Sequence, residues 1–155
     1  MRGVNIFNSN SVDEAARLSA VASVLSFESA MKDAVNMGGQ IPKGIISYGR
    51  LPLMIFKNCP GKNGDGCKTC GGMCTLTDRL GVEFPVMCRN EFSEMFNSRP
   101  LWLLDRQNEM NGLDFQVLMF TDEAKEQAGE IIKSAVKGDK PRAEYTRGLY
   151  YREVM

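Results

Sequence analysis

Five cysteines carry the clearest chemical signal in this 155-residue chain. Four of them run Cys59-x7-Cys67-x2-Cys70-x17-Cys88, with Cys74 as a fifth candidate. A Cys-x-x-Cys pair puts two thiolates on one tight turn, where they can grip a single ion or the edge of a cluster. Two thiolates from flanking segments then complete a four-sulfur site. Glycines at 61, 64, 66, 71 and 72 supply the backbone freedom such a turn needs. Tetrahedral zinc and an iron–sulfur cube both fit four thiolates, and spacing does not separate them. A thioredoxin-like dithiol normally opens a helix after a strand, whereas this pair sits amid glycines.

Composition narrows the chemistry further. The chain has no histidine, so it offers no Ser-His-Asp triad, no Cys-His pair and no His-ligated zinc protease site. Lys plus Arg and Asp plus Glu stand at 19 each, and such a balance gives no global field toward nucleic acid or anionic lipid. The basic residues near the C-terminus, from Lys133 to Arg152, are diluted by Asp139, Glu144 and Glu153 and read as a solvated face. No apolar run reaches the roughly 18 residues of a membrane span, and residues 1–10 lack a signal-peptide core. Cytoplasmic placement without membrane contact is therefore expected, with thiols kept reduced and metal binding ahead of disulfides.

The elements that must position these thiols are legible from periodicity. Short β-rich runs at 4–7, 22–25 and 45–48 alternate with two helices. The first is expected to open on a capping box at Ser11 with Val12, Ala15, Ala16 and Leu18 inward. The second is expected to start at Ser26, with Phe27, Ala30, Met31 and Ala34 inward and Gly38-Gly39 as its end. This βαβαβ pattern over 1–50 predicts a parallel sheet in an α/β fold. Residues 51–90 read as an irregular, cysteine-rich metal loop. The C-terminal α/β segment, 91–155, is expected to hold a short helix over 91–96, a strand over 115–120 and a helix over 122–137. That last helix should turn Ala124, Ala128, Ile131, Ile132, Ala135 and Val136 inward and stop at Gly138. The whole chain, 1–155, reads as a single domain. Polar residues just after strands are the other functional candidates, since parallel α/β folds work at that rim. Asn8, Glu28 and Arg50 are chosen as candidate catalytic residues on this ground, Ser26 being read as a helix cap.

Longer motifs add a resemblance. Tyr48-Gly-Arg-Leu-Pro-Leu-Met54, Asn58-Cys-Pro60, Cys67-x-x-Cys70, Leu76-Thr-Asp-Arg79 and Phe84-Pro-Val86 before Cys88 resemble the peptidase U32 family of collagenase-like proteases. Asn5-Ile-Phe-Asn-Ser9 and Leu25-Ser-Phe-Glu28 look like late barrel strands of that family, and Tyr145-Thr-Arg-Gly148 looks like its closing segment. The resemblance implies a partial (β/α) TIM-type barrel made of late strands, with a C-terminal strand-helix unit and the cysteine loop near the barrel mouth. By motif position it assigns Cys59, Cys67, Cys70 and Cys88 as ligands, with a 4Fe–4S cluster ahead of zinc, and leaves Cys74 outside. It implies a protease, or an iron–sulfur enzyme that hydroxylates RNA bases or an aromatic small molecule; a non-catalytic zinc-stabilised module is the third reading. Substrates would be a peptide, RNA or a small molecule. A full barrel needs about 200 residues or more, so this length suggests a fragment of the full enzyme, with a second chain completing the barrel.

Overall fold

The computed structural model describes residues 5–63, 71–89 and 91–151. In chain order the elements are α1 (Ser9–Arg17), β1 (Ser23–Val24), α2 (Met31–Asn36), β2 (Lys43–Gly49), β3 (Pro52–Phe56), a 3-10 turn (Pro60–Asn63), β4 (Met73–Thr77), β5 (Glu83–Arg89), β6 (Phe92–Phe96), β7 (Leu101–Trp102), a second 3-10 stretch (Leu104–Glu109), β8 (Phe115–Met119) and α3 (Lys125–Lys137). They gather into two compact units, one holding the described residues up to Gly49 and from Leu101 onward, the other Arg50–Pro100. The fold is mixed α/β, with one mostly parallel and one antiparallel sheet and no closed barrel among the described residues. No helix among them is long and apolar enough to cross a membrane.

The first unit is organised by β2, whose Ile45 is fully buried. Parallel pairing joins it to β1 (Ser23↔Lys43, Val24↔Gly44) and to β8 (Gly44↔Phe115 through Gly49↔Met119). Because Gly44 pairs with both, β1 and β8 lie on opposite edges of β2. Antiparallel β7 shares the β1 edge through Tyr48↔Trp102 and Gly49↔Leu101. The two glycines permit this: a Cβ at Gly44 would stand 2.3 Å from the Phe115 carbonyl oxygen, and one at Gly49 would stand 2.2 Å from that of Met119. Gly49 also holds φ at 132°, a conformation side chains resist. Tyr48, Trp102 and Leu104 form a core cluster, against which Leu118, Ile131 and Ala135 pack.

Several expectations are corrected. Of the run 4–7, residue 4 lies outside the described residues and 5–7 form no ladder, although Ser26 N–H donates to the Ile6 carbonyl at 2.8 Å. Helix α1 starts at Ser9 because Asn8 takes the cap: its Oδ1 accepts from the Ser11 N–H at 2.9 Å and the Ser11 hydroxyl at 3.0 Å. Leu18 falls at the C-cap and is exposed. Ser26 caps a turn instead of α2, its Oγ accepting from Glu28 N–H at 3.2 Å, and only Met31 and Ala34 of that helix are buried. In α3, Ile132 and Val136 face solvent, whereas Gly138 is the left-handed C-cap that the sequence suggests.

The second unit overturns two readings. Residues 51–90 contain three strands, and 91–96, expected as a helix, contributes β6; together they make an antiparallel sheet of order β3-β6-β5-β4. Pairing on both sides, with β3 and β5, fixes Phe92–Phe96 as a central strand whatever its local preference. The β4–β5 hairpin closes on Asp78, whose Oδ1 accepts from the N–H groups of Leu80 (2.7 Å) and Val82 (2.9 Å). An Asx turn of this kind makes the backbone reverse at one place.

The C-terminal segment is fastened to the first unit by Arg147. Its guanidinium grips both Asp105 oxygens at 2.5 and 2.8 Å and donates to the Trp102 carbonyl at 2.6 Å. Asp105 is held below the usual carboxylate range, first by these hydrogen bonds and against some desolvation. A depressed carboxylate adds stability above its unfolded pKa and loses it as pH falls through the folded one. Asp105→Asn is expected to cost about 1–3 kcal/mol at neutral pH, the gap narrowing below the usual carboxylate range. Urea unfolding followed by the fluorescence of Trp102, the single tryptophan, measures it; equal stability at neutral pH would show the pair to be incidental.

Candidate metal centre

The thiols are placed by register. Cys74 lies opposite Val86 in the β4–β5 ladder, and Cys88 lies opposite Ser93 in the β5–β6 ladder. Directly opposed residues and residues two apart share a sheet face, so Cys74, Val86, Cys88 and Ser93 project to the same side. Val86 and Ser93 are buried there, while Cys74 and Cys88 are half-buried. Cys59 arrives from the end of β3 and enters the 3-10 turn, where Lys62 N–H donates to its carbonyl at 3.1 Å. That turn lays Gly61 against the sulfurs: a Cβ there would be 3.0 Å from Cys74 Sγ and 3.7 Å from Cys59 Sγ.

Hydrogen bonds focus on Cys59. The Ser93 hydroxyl, the Cys88 thiol, the Gly61 N–H and the Cys74 thiol all hold its pKa below the ordinary thiol value, in that order except that desolvation opposes them ahead of Cys74. The Ser93 hydroxyl also meets Cys88 Sγ at 3.4 Å, so it bridges the two thiols. Cys59, Cys74 and Cys88 form no disulfide. An open cleft of about 550 Å³ lies beside Cys59, lined by Phe56, Asn58, Pro60 and Lys62 as well.

Of the four sequence-assigned ligands, Cys59 and Cys88 are brought together, whereas Cys67 and Cys70 lie outside the described residues. Cys74, which the motif pattern leaves out, stands beside Cys59. Among the described residues no three Cys, Asp or Glu side chains are grouped so that they could hold a metal ion. The thiols of Cys59, Cys74 and Cys88 are soft donors that exchange hydrogen bonds, with the Cys59 thiolate favoured.

The other candidates are placed as follows. Asn8 caps α1, as described above. Glu28 is exposed in the turn after β1. Arg50 is half-buried and donates to the backbone carbonyls of Asn97, at 3.1 Å, and Ser98. Those contacts tie the start of β3 to the end of β6, next to the Asn97 N–H that donates to Leu51 at 2.9 Å.

Two measurements check these assignments. Ser93→Ala should move the pH of half-maximal Cys59 alkylation upward, read by mass spectrometry, because the largest contribution favouring its thiolate is gone; an unchanged midpoint would remove Ser93 from the site. Arg50→Ala should destabilise the sheet by about 1–3 kcal/mol and speed hydrogen exchange at the Asn97 amide. Wild-type protection there would show that these carbonyl contacts contribute little to the sheet. No family model, curated protein or solved structure matches this chain.

Proposed function

We propose that this chain is a thiolate-ligated metal protein of the peptidase U32 type, its first unit supplying late strands of a TIM-type barrel and its second holding a 4Fe–4S cluster. The observation that carries the thiolate-ligated reading, whichever group is bound, is the meeting of Cys59 and Cys88, two of the four motif-assigned ligands, through each other and through Ser93. The parallel β1–β2–β8 ladder is the kind of unit a (β/α) barrel repeats.

The chain's own residues favour a redox over a hydrolytic role. Peptide hydrolysis needs a nucleophile with a general base, and this chain contributes no imidazole, while its thiols are grouped for ligation. When bound, an iron–sulfur cluster supplies one-electron chemistry. Cys59 would hold it at the mouth of the cleft. Phe56 and Asn58 give that cleft an apolar wall and an amide, suited to an aromatic ring or an RNA base better than to an extended peptide. Ser93 would orient Cys59 and Cys88 by hydrogen bonding to their sulfurs.

Zinc is the second reading, favoured by one observation. Thiols in hydrogen-bond contact approach the edge of a tetrahedral four-sulfur zinc site, about 3.8 Å for Zn–S bonds of about 2.3 Å. Anaerobic purification with metal and acid-labile sulfide analysis decides. Iron and sulfide with broad visible charge-transfer absorption are expected, and Cys88→Ser should abolish them. Colourless stoichiometric zinc would turn the proposal to the structural module, and protein that takes up neither metal would overturn it.

A further inference from the structure

The thiols of the second unit meet as a line of contacts with Cys59 in the middle. We propose that Cys59 is an oxidation site: a hydroperoxide converts its thiol to a sulfenic acid, and either Cys88 or Cys74 then closes a disulfide on it, never on each other. The inference goes beyond the metal reading, since it concerns what these thiols do when no metal holds them.

Cys59 exchanges hydrogen bonds with the thiols of both Cys88 and Cys74. On one side the Ser93 hydroxyl, 3.4 Å from Cys88 Sγ, also bonds to Cys59. On the other, a Cβ at Gly61 would stand 3.0 Å from Cys74 Sγ and 3.7 Å from Cys59 Sγ, so both sulfurs border one point. Between Cys74 and Cys88, register stands in the way. Cys74 faces Val86, two residues before Cys88 on β5, and such diagonal neighbours stand about 7–8 Å apart. A disulfide needs Cα atoms within about 7 Å, and ladder hydrogen bonds hold both strands where they are. Cys59 instead lies between the end of β3 and the 3-10 turn, outside any ladder, and the open cleft beside it admits the oxidant. The Cys59 sulfur attacks the peroxide, the O–O bond breaks, and the thiol proton leaves with the alcohol or water formed. The neighbouring thiol then attacks the sulfenyl sulfur: the S–S bond forms, the S–O bond breaks, and water carries off the last proton. The third thiol can attack Cys59 in turn and exchange one disulfide for the other without net oxidation. An external dithiol, oxidised to its own disulfide, restores the three thiols.

The test uses the full chain, treated with a chelator and then oxidised with hydrogen peroxide. Remaining thiols are trapped with N-ethylmaleimide in denaturant, and tandem mass spectrometry of a non-reducing digest locates each bond. Cys59–Cys88 and Cys59–Cys74 bonds are expected, with no Cys74–Cys88 bond, and dithiothreitol should remove both. In Cys88→Ser the Cys59–Cys74 bond should remain, and in Cys59→Ser both bonds should be lost. The mapping on unmutated protein stands whether or not those variants fold. A Cys74–Cys88 bond, bonds from Cys59 only to Cys67 or Cys70, oxidation of Cys59 to sulfinic acid without a disulfide, or thiols that stay unmodified would each overturn the inference. Because the protein is chelator-treated, none of these outcomes decides whether it binds metal.

Discussion

Side-chain alternation in the antiparallel sheet allows the thiols to meet only if β4, β5 and β6 keep one register, and the Asp78 turn is what enforces it. With Asp78 accepting from Leu80 and Val82, the hairpin closes at Thr77↔Glu83, and Cys74 must then face Val86. A slip of a single residue would turn Cys74 to the opposite face and separate it from Cys88. Nothing in the thiols themselves could restore them, since hydrogen bonds to sulfur are weak beside a ladder of backbone bonds. The facing of Cys74 thus depends on an aspartate four residues further along the chain.

Missing side chains do similar work in both units. At Gly44 and Gly49 the space that a Cβ would need is occupied by carbonyl groups of β8, so the parallel pair closes at a distance other residues forbid. At Gly61 the intruding atom is the Cys74 sulfur. The same physical device, a backbone brought close because nothing stands in between, builds a sheet in one place and gathers soft donors in the other.

How much of this the sequence discloses depends on the range of the interaction. The strand around Ile45, the late strand from Phe115 and the stop at Gly138 are written in local apolar runs and a local glycine, and they stand in the structure. The antiparallel sheet is not local. Glycine and cysteine disguise β4, and Phe92–Phe96 becomes a strand because it is paired on both edges. Cys74 was detectable in principle, since Met73-Cys-Thr-Leu-Thr77 followed by Asp-Arg-Leu-Gly is a strand running into a turn, which fixes the partner of Cys74 by counting. Arg50 shows the opposite case: its acceptors are carbonyls 47 and 48 residues away, and no spacing rule reveals a carbonyl that happens to be left over.

The pairing of Gly49 with Leu101 has one more consequence. The first unit's chain leaves β2 and re-enters at β7, which pairs with it over the two positions Tyr48↔Trp102 and Gly49↔Leu101, so residues 50–100 join two strands that a turn would suffice to connect. Closing so long a loop costs little more than closing a short one, because the entropy grows only with the logarithm of its length. The thiol-bearing sheet is in effect an insertion between two paired strands, and the parallel β1–β2–β8 ladder keeps its hydrogen bonds without it.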